Sequence, residues 1–420
     1  MFFKAAIVSC LFGAFTALLS IAQEKPSLPN VRRIVFLGDS ITHDGRYIDY
    51  LDAFLATRFP DRRWELLNLG LPSETVSGLS EDGHAGGAFP RPELRERLAR
   101  VLDQTKPDLL VACYGMNDGI YQPFDETRFA KYQQGIRELR DQAATAKIPI
   151  LHLTPPMFDP DPMRDGRARP FNYNDVLDRY SMWLVEQRKH NWDVGDLHAA
   201  ICDHVAKRRE ESPKFRLADD GVHVNATGQW LFAQTLLTAW NAPSQVDAAA
   251  IDWKSAKATR GTIRDVTIAD GALKFSWETR VPMPMDSQWD KKSLRLDQAA
   301  ERFNRHTLTV AGAPAAEYEI FEGATSIGTI SREELADGVD LLRLRKLSTN
   351  KRAAELLAVI SKRQRILRDA WLSATGHKRP GLPQGAPLEA ADKQAGALDT
   401  QIRALAAPAT LELQFMPTNQ

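Results

Sequence analysis

Cysteine is scarce in this chain of 420 residues, with three in total. Cys10 lies inside an apolar N-terminal run, which leaves Cys113 and Cys202 for the rest of the chain. Two cysteines are too few for the disulfide framework that holds many small secreted domains together, so the fold must depend on a hydrophobic core. Cys113 stands in an apolar stretch, which predicts a buried thiol that packs as a small hydrophobic side chain.

An excess of charge of either sign is also lacking, because 54 lysines and arginines balance 54 aspartates and glutamates. The composition therefore gives no indication of nucleic acid as a partner. The sequence shows no zinc-site, helix-turn-helix or glycine-rich phosphate-loop signature and no internal repeat. Hydrophobic residues make up 43% of the chain, as in an ordinary globular protein, and the length allows two or three domains.

Long hydrophobic runs are confined to the first 22 residues. A charged start ending at Lys4 precedes apolar or small residues from Ala5 to Ala22, and polar sequence begins at Gln23. This order is typical of an export signal, residues 1–22, and predicts a secreted or periplasmic protein without stable membrane association after cleavage. The alternative is a retained anchor, since the run is just long enough to span a bilayer.

Between Pro29 and Pro243, short apolar runs alternate with amphipathic stretches. The apolar runs predict five strands, at residues 34–37, 64–69, 109–114, 149–154 and 192–197. The amphipathic stretches predict helices at residues 46–58, 91–104, 129–146, 173–190 and 228–240. This alternation predicts a parallel sheet covered on both faces, with any site beyond the carboxyl ends of its strands.

After Pro243 the pattern changes to short strands separated by glycine or proline turns. Strands are predicted at residues 262–268, 272–277, 306–310, 318–321, 326–330 and 410–415, and helices at 350–375 and 388–405. The chain is therefore expected to divide into a domain of residues 23–243 and an accessory α+β or β-sandwich-like module of residues 244–420. Trp277 and Trp289 are candidate platforms for a substrate; the alternative is that the module only packs against the first domain.

The first predicted strand runs directly into Gly38, Asp39 and Ser40, and amphipathic sequence follows. The pattern predicts a strand, a tight turn and a helix, with Ser40 at the turn. Ser40 would lie near the positive end of a helix, a suitable place for a nucleophile whose attack creates negative charge. The alternative is a simple helix cap, a position where serine is common.

A serine nucleophile needs a base, and His223 has the most suitable context among nine histidines. Asp220 lies three residues earlier, across a turn at Gly221, so its carboxylate can fold back onto the imidazole Nδ1 and leave Nε2 free. The alternative is a loop in which the aspartate and the glycine serve only the turn.

Other histidines compete for the same role. Asp196 and His198 follow the fifth predicted strand, where alternation would place both on one face. His84, in a glycine-rich loop, is a weaker candidate. Metal-dependent hydrolysis through Asp44, His84, Asp196 and His198 is a further alternative, although no pair among them has a recognisable ligand spacing.

Four sequence blocks now stand in order: Gly38-Asp-Ser-Ile-Thr42, Gly70, Gly115-Met-Asn-Asp118 and Asp220-x-x-His223. Together they resemble the SGNH, or GDSL, hydrolase family over about residues 31–240. The resemblance implies a flavodoxin-like three-layer α/β/α sandwich with a five-stranded parallel sheet. It also implies hydrolysis of esters through an acyl-enzyme, without a metal or an organic cofactor.

The same resemblance implies a role for each matched residue. Ser40 is the expected nucleophile, His223 the general base and then acid, and Asp220 the residue that orients it. The expected oxyanion-hole donors are the backbone N–H groups of Ser40 and Gly70 and the side-chain amide of Asn117.

Two neighbours of the matched residues complete the comparison with the family. Asp39 is expected to be structural, bonding nearby backbone. Val224 is a minor departure, because many members have proline after the histidine.

For an exported hydrolase with an added module, the resemblance favours removal of O-acetyl groups from carbohydrates, with a small-molecule or carbohydrate ester as the partner. A lipase, thioesterase or lysophospholipase is the alternative within catalysis. An alternative of a different class is a carbohydrate-binding protein without catalysis, but such a protein has no need of all five matched residues.

Two loops, residues 80–92 and 120–128, are expected to line the site with His84, Phe89, Tyr121 and Phe124. Equally, these aromatic residues could serve only to hold the loops in place. Asn225 begins a glycosylation sequon two residues from the predicted base. A glycan there would obstruct the site, so Asn225 is predicted to serve as turn and cap instead.

Overall fold

The computed structural model describes residues 31–159 and 171–418, and the predicted export signal lies outside the described residues. The first domain is built on a five-stranded sheet in the order β2-β1-β3-β4-β5, with every neighbouring pair parallel. Its strands are β1 Arg33–Gly38, β2 Glu65–Asn68, β3 Leu109–Cys113, β4 Ile150–Leu153 and β5 Asp193–Gly195. This is the predicted flavodoxin-like order, in which ligands bind beyond the carboxyl ends of the strands.

Helices cover this sheet, which explains the continuous apolar runs in the sequence. All four residues from Ile34 to Leu37 in β1 are buried, as expected for a strand with helices on both of its faces. Helix α2 packs against α7, and α3 packs against α4. The helices are α1 Ser40–Asp44, α2 Arg46–Arg58, α3 Leu98–Thr105, α4 Glu126–Thr145, α5 Asn174–Glu186, α6 Leu197–Glu211 and α7 Ala226–Ala239.

Three predictions for this domain were wrong in detail. The helix expected over residues 91–104 begins only at Leu98, after a single 3-10 turn at Leu94–Glu96, since Pro90 and Pro92 disfavour helix at the preceding residues. The fifth strand ends at Gly195, and α6, which was not predicted, starts two residues later. The first helical turn begins at Ser40 and is separated from α2 by Gly45 in the left-handed conformation.

The accessory region contains two sheets around one shared core, which confirms the β-sandwich-like alternative with added helices. A four-stranded sheet has the order β13-β10-β6-β7, and a five-stranded sheet has the order β12-β11-β14-β9-β8. Side chains from both sheets pack together, among them Ile251, Phe275, Val310 and Leu413. The strands are β6 Gln245–Asp252, β7 Lys257–Arg260, β8 Thr262–Ala269, β9 Ala272–Thr279, β10 Arg305–Ala311, β11 Glu317–Glu322, β12 Thr325–Ser331, β13 Val339–Asp340 and β14 Ala409–Pro417.

The helices of the accessory region connect it to the first domain. They are α8 Lys291–Leu296, α9 Ala299–Phe303, α10 Arg332–Asp337, α11 Ser348–Thr375 and α12 Leu388–Ala406. Helices α11 and α12 pack against each other and against α2, where Ala53 meets Leu356, Ile360 and Ile402. A capping box formed by Ser331 and Glu334 opens α10.

The two candidate tryptophan platforms are both buried. Trp277 packs inside the β-sandwich core, and Trp289 packs against Tyr50 and Trp230 of the first domain, with ring centroids 4.9 and 4.6 Å apart. Neither ring can therefore offer a face to a substrate, and Trp289 packs against the first domain, as the alternative predicted. Cys113 is buried and unpaired, as predicted. Within residues 31–159 and 171–418, no helix has the length and apolar character to cross a membrane.

Candidate active site

Ser40 lies where β1 ends, at the carboxyl edge of the sheet. Asp39 caps α1, because its side chain accepts a hydrogen bond from the Ile41 N–H at 2.9 Å, and Ser40 is the first residue of that helix. Ser40 therefore stands at a helix N-terminus, where unpaired N–H groups favour negative charge. Ser40 lies at the predicted strand end, although within a helix and not in a turn, and Asp39 makes the expected structural contact.

His223 connects Ser40 to Asp220. The His223 Nε2 atom lies 2.7 Å from the Ser40 Oγ, and its Nδ1 lies 2.6 Å from the Asp220 Oδ2. The other Asp220 oxygen accepts hydrogen bonds from the Val222 and His223 N–H groups, at 2.9 and 2.8 Å. The three predicted residues thus form one hydrogen-bonded chain, although Ser40 and His223 are 183 positions apart in the sequence.

The two carboxyl groups beside this chain differ in their electrostatics. Partial burial opposes ionisation of Asp220, but the hydrogen bonds from His223 and from the Val222 N–H outweigh it and lower its pKa. Burial raises the pKa of Asp39 to about 6, although the Ile41 N–H and the charge of His223 favour its ionised form. Asp220 is therefore the carboxylate suited to carry charge beside the imidazole.

Asn117 follows β3 and is 4% exposed. Its Nδ2 donates a hydrogen bond to the Glu74 carbonyl at 3.2 Å, and its Oδ1 accepts one from the Tyr121 hydroxyl at 3.1 Å. The orientation of the amide is therefore fixed, and one of its two N–H groups has no partner among the described residues, so it is available to a ligand.

Gly70 differs from what the resemblance implied. Its N–H donates to the Asn68 Oδ1 at 2.9 Å, so this donor is already used within the protein. A Cβ at Gly70 would lie 2.4 Å from the His43 nitrogen, so the missing side chain allows close packing against α1. The need for glycine here comes from packing and not from the approach of a substrate.

A turn slightly further along the chain has the properties expected at Gly70. Ser73 adopts a left-handed backbone conformation with φ of 70°, and its N–H has no hydrogen-bond partner among the described residues. The following carbonyl, that of Glu74, contacts Asn117. The turn therefore brings the Ser73 backbone next to the amide that the resemblance places in an oxyanion hole.

A buried ion pair supports this turn. The Glu74 carboxylate accepts two hydrogen bonds from Arg97 at 2.7 Å and one from the Tyr114 hydroxyl at 2.6 Å. Arg97 also donates to the Leu69 carbonyl at 2.7 Å. Sequence reasoning missed Glu74 and Arg97, since a carboxylate in a loop gives no sign that its partner lies 23 residues away.

The competing histidines lie elsewhere in other roles. Asp196 caps α6 by accepting from the Ala199 N–H at 3.1 Å, and His198 lies in that helix and contacts Asp178 at 2.6 Å. They do not form the predicted pair at a strand end. Among the described residues, no group of three or more metal-ligating side chains comes together, and Asp44, His84, Asp196 and His198 form no such cluster.

The aromatic residues expected to line the site differ in what they contact. Tyr121 reaches the site through Asn117, whereas Phe124 packs on Phe129 at 5.6 Å and holds its loop against α4. His84 packs edge-on against Phe89 at 5.3 Å. Asn225 caps α7 by accepting from the Thr227 and Gly228 N–H groups, as predicted from the position of the sequon.

The chain is similar to known proteins in sequence and in fold. The model of the family described as GDSL-like lipase/acylhydrolase matches residues 36–231. A gut microbial diltiazem-metabolizing enzyme has 19% identity and a TM-score of 0.78, covering 93% of this chain and 99% of that one. This similarity shows a shared fold that extends through the accessory region.

Two smaller solved structures match about half of this chain. An acetylxylan esterase from Geobacillus stearothermophilus has 20% identity and a TM-score of 0.39, over 51% of this chain and 97% of that one. An alpha/beta hydrolase enzyme from the metagenome of Lake Arreo, Spain, has 24% identity and a TM-score of 0.39, over 50% and 95%. No curated protein matches the chain.

Proposed function

We propose that this protein is an exported serine esterase that removes O-acetyl groups from carbohydrates. The premise is that residues 36–231 are a domain of the GDSL-like lipase/acylhydrolase family, and this match supports a hydrolase acting on esters. The observation that carries the proposal is the hydrogen-bonded chain from Ser40 through His223 to Asp220. A hydroxyl, an imidazole and a carboxylate in this order form the arrangement that activates a serine for attack on a carbonyl carbon.

In the proposed reaction, His223 Nε2 takes the Ser40 proton as the Oγ attacks the ester carbonyl. Asp220 holds the other ring nitrogen and stabilises the imidazolium that forms. The tetrahedral intermediate collapses when His223 returns the proton to the leaving alcohol, which leaves acetyl-Ser40. Water, deprotonated by the same imidazole, then attacks the acyl-enzyme and releases acetate.

Negative charge on the carbonyl oxygen requires donors that are fixed before the reaction begins. We assign this role to the Ser40 N–H and the Asn117 amide. For the third donor we assign the Ser73 N–H in place of Gly70, because the Gly70 N–H is bonded to Asn68. The Glu74–Arg97 ion pair would hold the Ser73 turn in position.

A carbohydrate ester is favoured by the exposure and polarity of the site. The side chains of His223 and Asp220 are 53% and 52% exposed, so a large substrate can reach Ser40 without passing through a closed cavity. The nearby side chains of Arg91, Glu81 and Tyr121 are polar or amphipathic, unlike the apolar groove that a lipase needs for an acyl chain. The export signal predicted from the first 22 residues would bring the enzyme to extracellular polysaccharides.

Ser40→Ala tests the proposal directly. We expect it to abolish acetate release from acetylated xylan and p-nitrophenyl acetate, and to prevent labelling of the protein by a fluorophosphonate. Ser255→Ala, which changes an exposed serine of the accessory region, should leave all three unchanged. Ester cleavage by Ser40→Ala at the wild-type rate, or a requirement for metal shown with a chelator, would contradict the mechanism.

A further inference from the structure

The accessory region reaches the proposed active site through the end of α11 and the loop that follows it. The guanidinium of Arg368, in α11, donates to the His43 carbonyl at 3.0 Å, and His43 lies three residues after Ser40. Burial and then the charge of Arg368 lower the pKa of His43 to about 4, with a smaller contribution from Arg379. Arg379, in the loop, is therefore close enough to α1 to act on it electrostatically.

A second path of contacts leads from Asn117 to the loop of residues 80–92. The hydroxyl of Tyr121 bonds Asn117, and the Arg91 guanidinium lies 5.4 Å from the centre of the Tyr121 ring. Arg91 makes two hydrogen bonds of 2.6 Å to the Glu81 carboxylate, and Glu81 lies 3.5 Å from His84 Nδ1. His84 is thus connected to Asn117 through Glu81, Arg91 and Tyr121.

The two paths meet at Phe89. The His84 ring lies 5.3 Å from the Phe89 ring, and the Arg379 Cζ lies 4.5 Å from its centre. A loop from the first domain and a loop from the accessory region therefore form one wall beside the site. We call the group His84, Phe89 and Arg379 the rim cluster.

Charge in this wall is matched except at Arg379. Arg91 and His84 share Glu81, and Arg368 pairs with Asp369 at 2.9 Å. No carboxylate of the described residues lies within ion-pair distance of Arg379, whose guanidinium bonds the carbonyl of its neighbour Pro380. The rim cluster therefore carries one positive charge without a protein counter-ion.

Two nitrogen atoms without a hydrogen-bond partner lie in the same cluster as that charge. The Arg379 Nε and the His84 Nε2 are both buried and have no hydrogen-bond partner among the described residues. A buried polar atom without a partner is costly, since it loses its water and gains nothing in exchange. An ordinary surface arginine would keep its donors in water, whereas this guanidinium is stacked on an aromatic ring with one donor covered.

We propose that the rim cluster is an anion subsite, in which Arg379 binds a carboxylate or sulfate carried by the saccharide portion of the ester substrate. The inference rests on the proposed esterase function and narrows it to acetylated acidic saccharides. Arginine suits this role because its planar N–H groups match the oxygens of a carboxylate or a sulfate, and Phe89 holds it in place. The accessory region then contributes to substrate selection as well as to stability.

The test compares acetate release from three oligosaccharide acetates: one neutral, one bearing uronate carboxylates and one bearing sulfates. For the wild-type protein, kcat/KM should be about tenfold or more higher for at least one anionic substrate than for the neutral one. The preferred substrate shows whether the subsite binds a carboxylate or a sulfate. In Arg379→Gln the ratio of anionic to neutral kcat/KM should fall by about tenfold, mainly through KM. Lys378→Gln removes an equal charge from an exposed neighbour and should keep the ratio.

Inhibition of the wild-type protein provides a test that needs no variant. Free glucuronate or inorganic sulfate should compete with the anionic substrate, whereas neutral glucose should not. Wild-type selectivity for neutral esters, or an unchanged ratio in Arg379→Gln, would overturn the subsite. Cleavage of p-nitrophenyl acetate without cleavage of any anionic saccharide ester would overturn the subsite alone, whereas no Ser40-dependent ester cleavage at all would overturn the esterase itself.

Discussion

Asn117 is held at both ends of its amide, by the Glu74 carbonyl and by the Tyr121 hydroxyl. This arrangement fixes the direction of the remaining N–H before a substrate arrives. A donor prepared in this way gains strength in the transition state, because nothing has to reorganise when the oxyanion forms. The contribution of Asn117 should therefore appear in turnover and not in substrate affinity.

Replacing Asn117 by alanine tests this role. Loss of one oxyanion donor typically lowers kcat by about 10²–10³, with KM nearly unchanged. We expect steady-state kinetics on p-nitrophenyl acetate to show this separation. Tyr121→Phe keeps the amide and removes one of its supports, so its effect should be much smaller. Near-normal turnover in Asn117→Ala would remove the residue from the oxyanion hole.

At the scale of single residues, local motifs were the part of the site that the sequence could reveal. Asp220 and His223 are three residues apart, and Ser40 stands at a strand end, so each was visible in a short stretch of sequence. The backbone conformation of Ser73 was not visible, because a left-handed φ is uncommon for serine. Arg379 was also missed, since its contact with Phe89 joins residues 290 positions apart and depends on tertiary packing.

Helix α1 and the chain after β2 are the elements that hold the nucleophile. The Leu69 and Leu71 N–H groups donate to the Phe36 and Gly38 carbonyls, both at 2.8 Å, so this chain runs beside the end of β1. Gly70, between them, faces the backbone of His43. The position of Ser40 therefore depends on close backbone packing that only glycine permits.

Gly70→Ala should displace α1, because the added Cβ would lie 2.4 Å from the His43 nitrogen and 2.7 Å from the Thr42 carbonyl carbon. Overpacking of this kind typically costs about 1–3 kcal/mol of unfolding free energy. We expect lower stability in urea denaturation together with reduced kcat.

Gly396→Ala is the matched control, since the same methyl group at an exposed position of α12 meets nothing within 4 Å. There the change should stabilise the protein by up to about 1 kcal/mol, through helix propensity. Reduced kcat in Gly70→Ala at full stability would instead restore Gly70 to the substrate-facing role implied by the family.

At the scale of elements, periodicity predicted the sheet well and the connections poorly. The five parallel strands and most of the tail strands were found, because buried runs in this chain are clearly bounded by glycine and proline. Helix α6 was missed since Asp196 was interpreted as the end of a strand, although an aspartate there is equally a helix cap. Such a choice depends on where the chain turns, which the local pattern does not specify.

At the scale of the whole molecule, the hydrophobic core around the parallel sheet is shared by the two predicted domains, while the β-sandwich has a further core of its own. Met283, Trp289, Phe303 and Leu372 of the accessory region pack with the residues around the parallel sheet. The change of pattern near Pro243 therefore marks a change of architecture, while the buried contacts continue across it. Sequence patterns report local structure, and for this reason they gave no sign of the shared core.

An ion pair lies in this shared contact between α2 and α11. Arg363 is hydrogen-bonded to Asp52 and to Asp399, and Arg363 and Asp52 are both buried. Burial opposes the charge of Arg363, but the two carboxylates outweigh it and raise its pKa. The stability of the complete protein should therefore depend on this pair remaining intact.

Arg363→Met leaves the Asp52 carboxylate buried without its cation, a loss that typically costs about 3–5 kcal/mol of unfolding free energy. Lys362→Met, at an exposed neighbouring position in α11, should cost little. In Asp52→Leu/Arg363→Met most of the loss should be recovered, because removing both charges also removes the cost of burying them.

Tryptophan fluorescence during denaturation is a suitable measurement, since the Trp230 and Trp289 rings pack across the shared core with centroids 4.6 Å apart. If the two regions unfold together, we expect a single unfolding transition whose midpoint is lowered in Arg363→Met. Two transitions, of which Arg363→Met lowers the midpoint of only one, would show that the regions unfold independently.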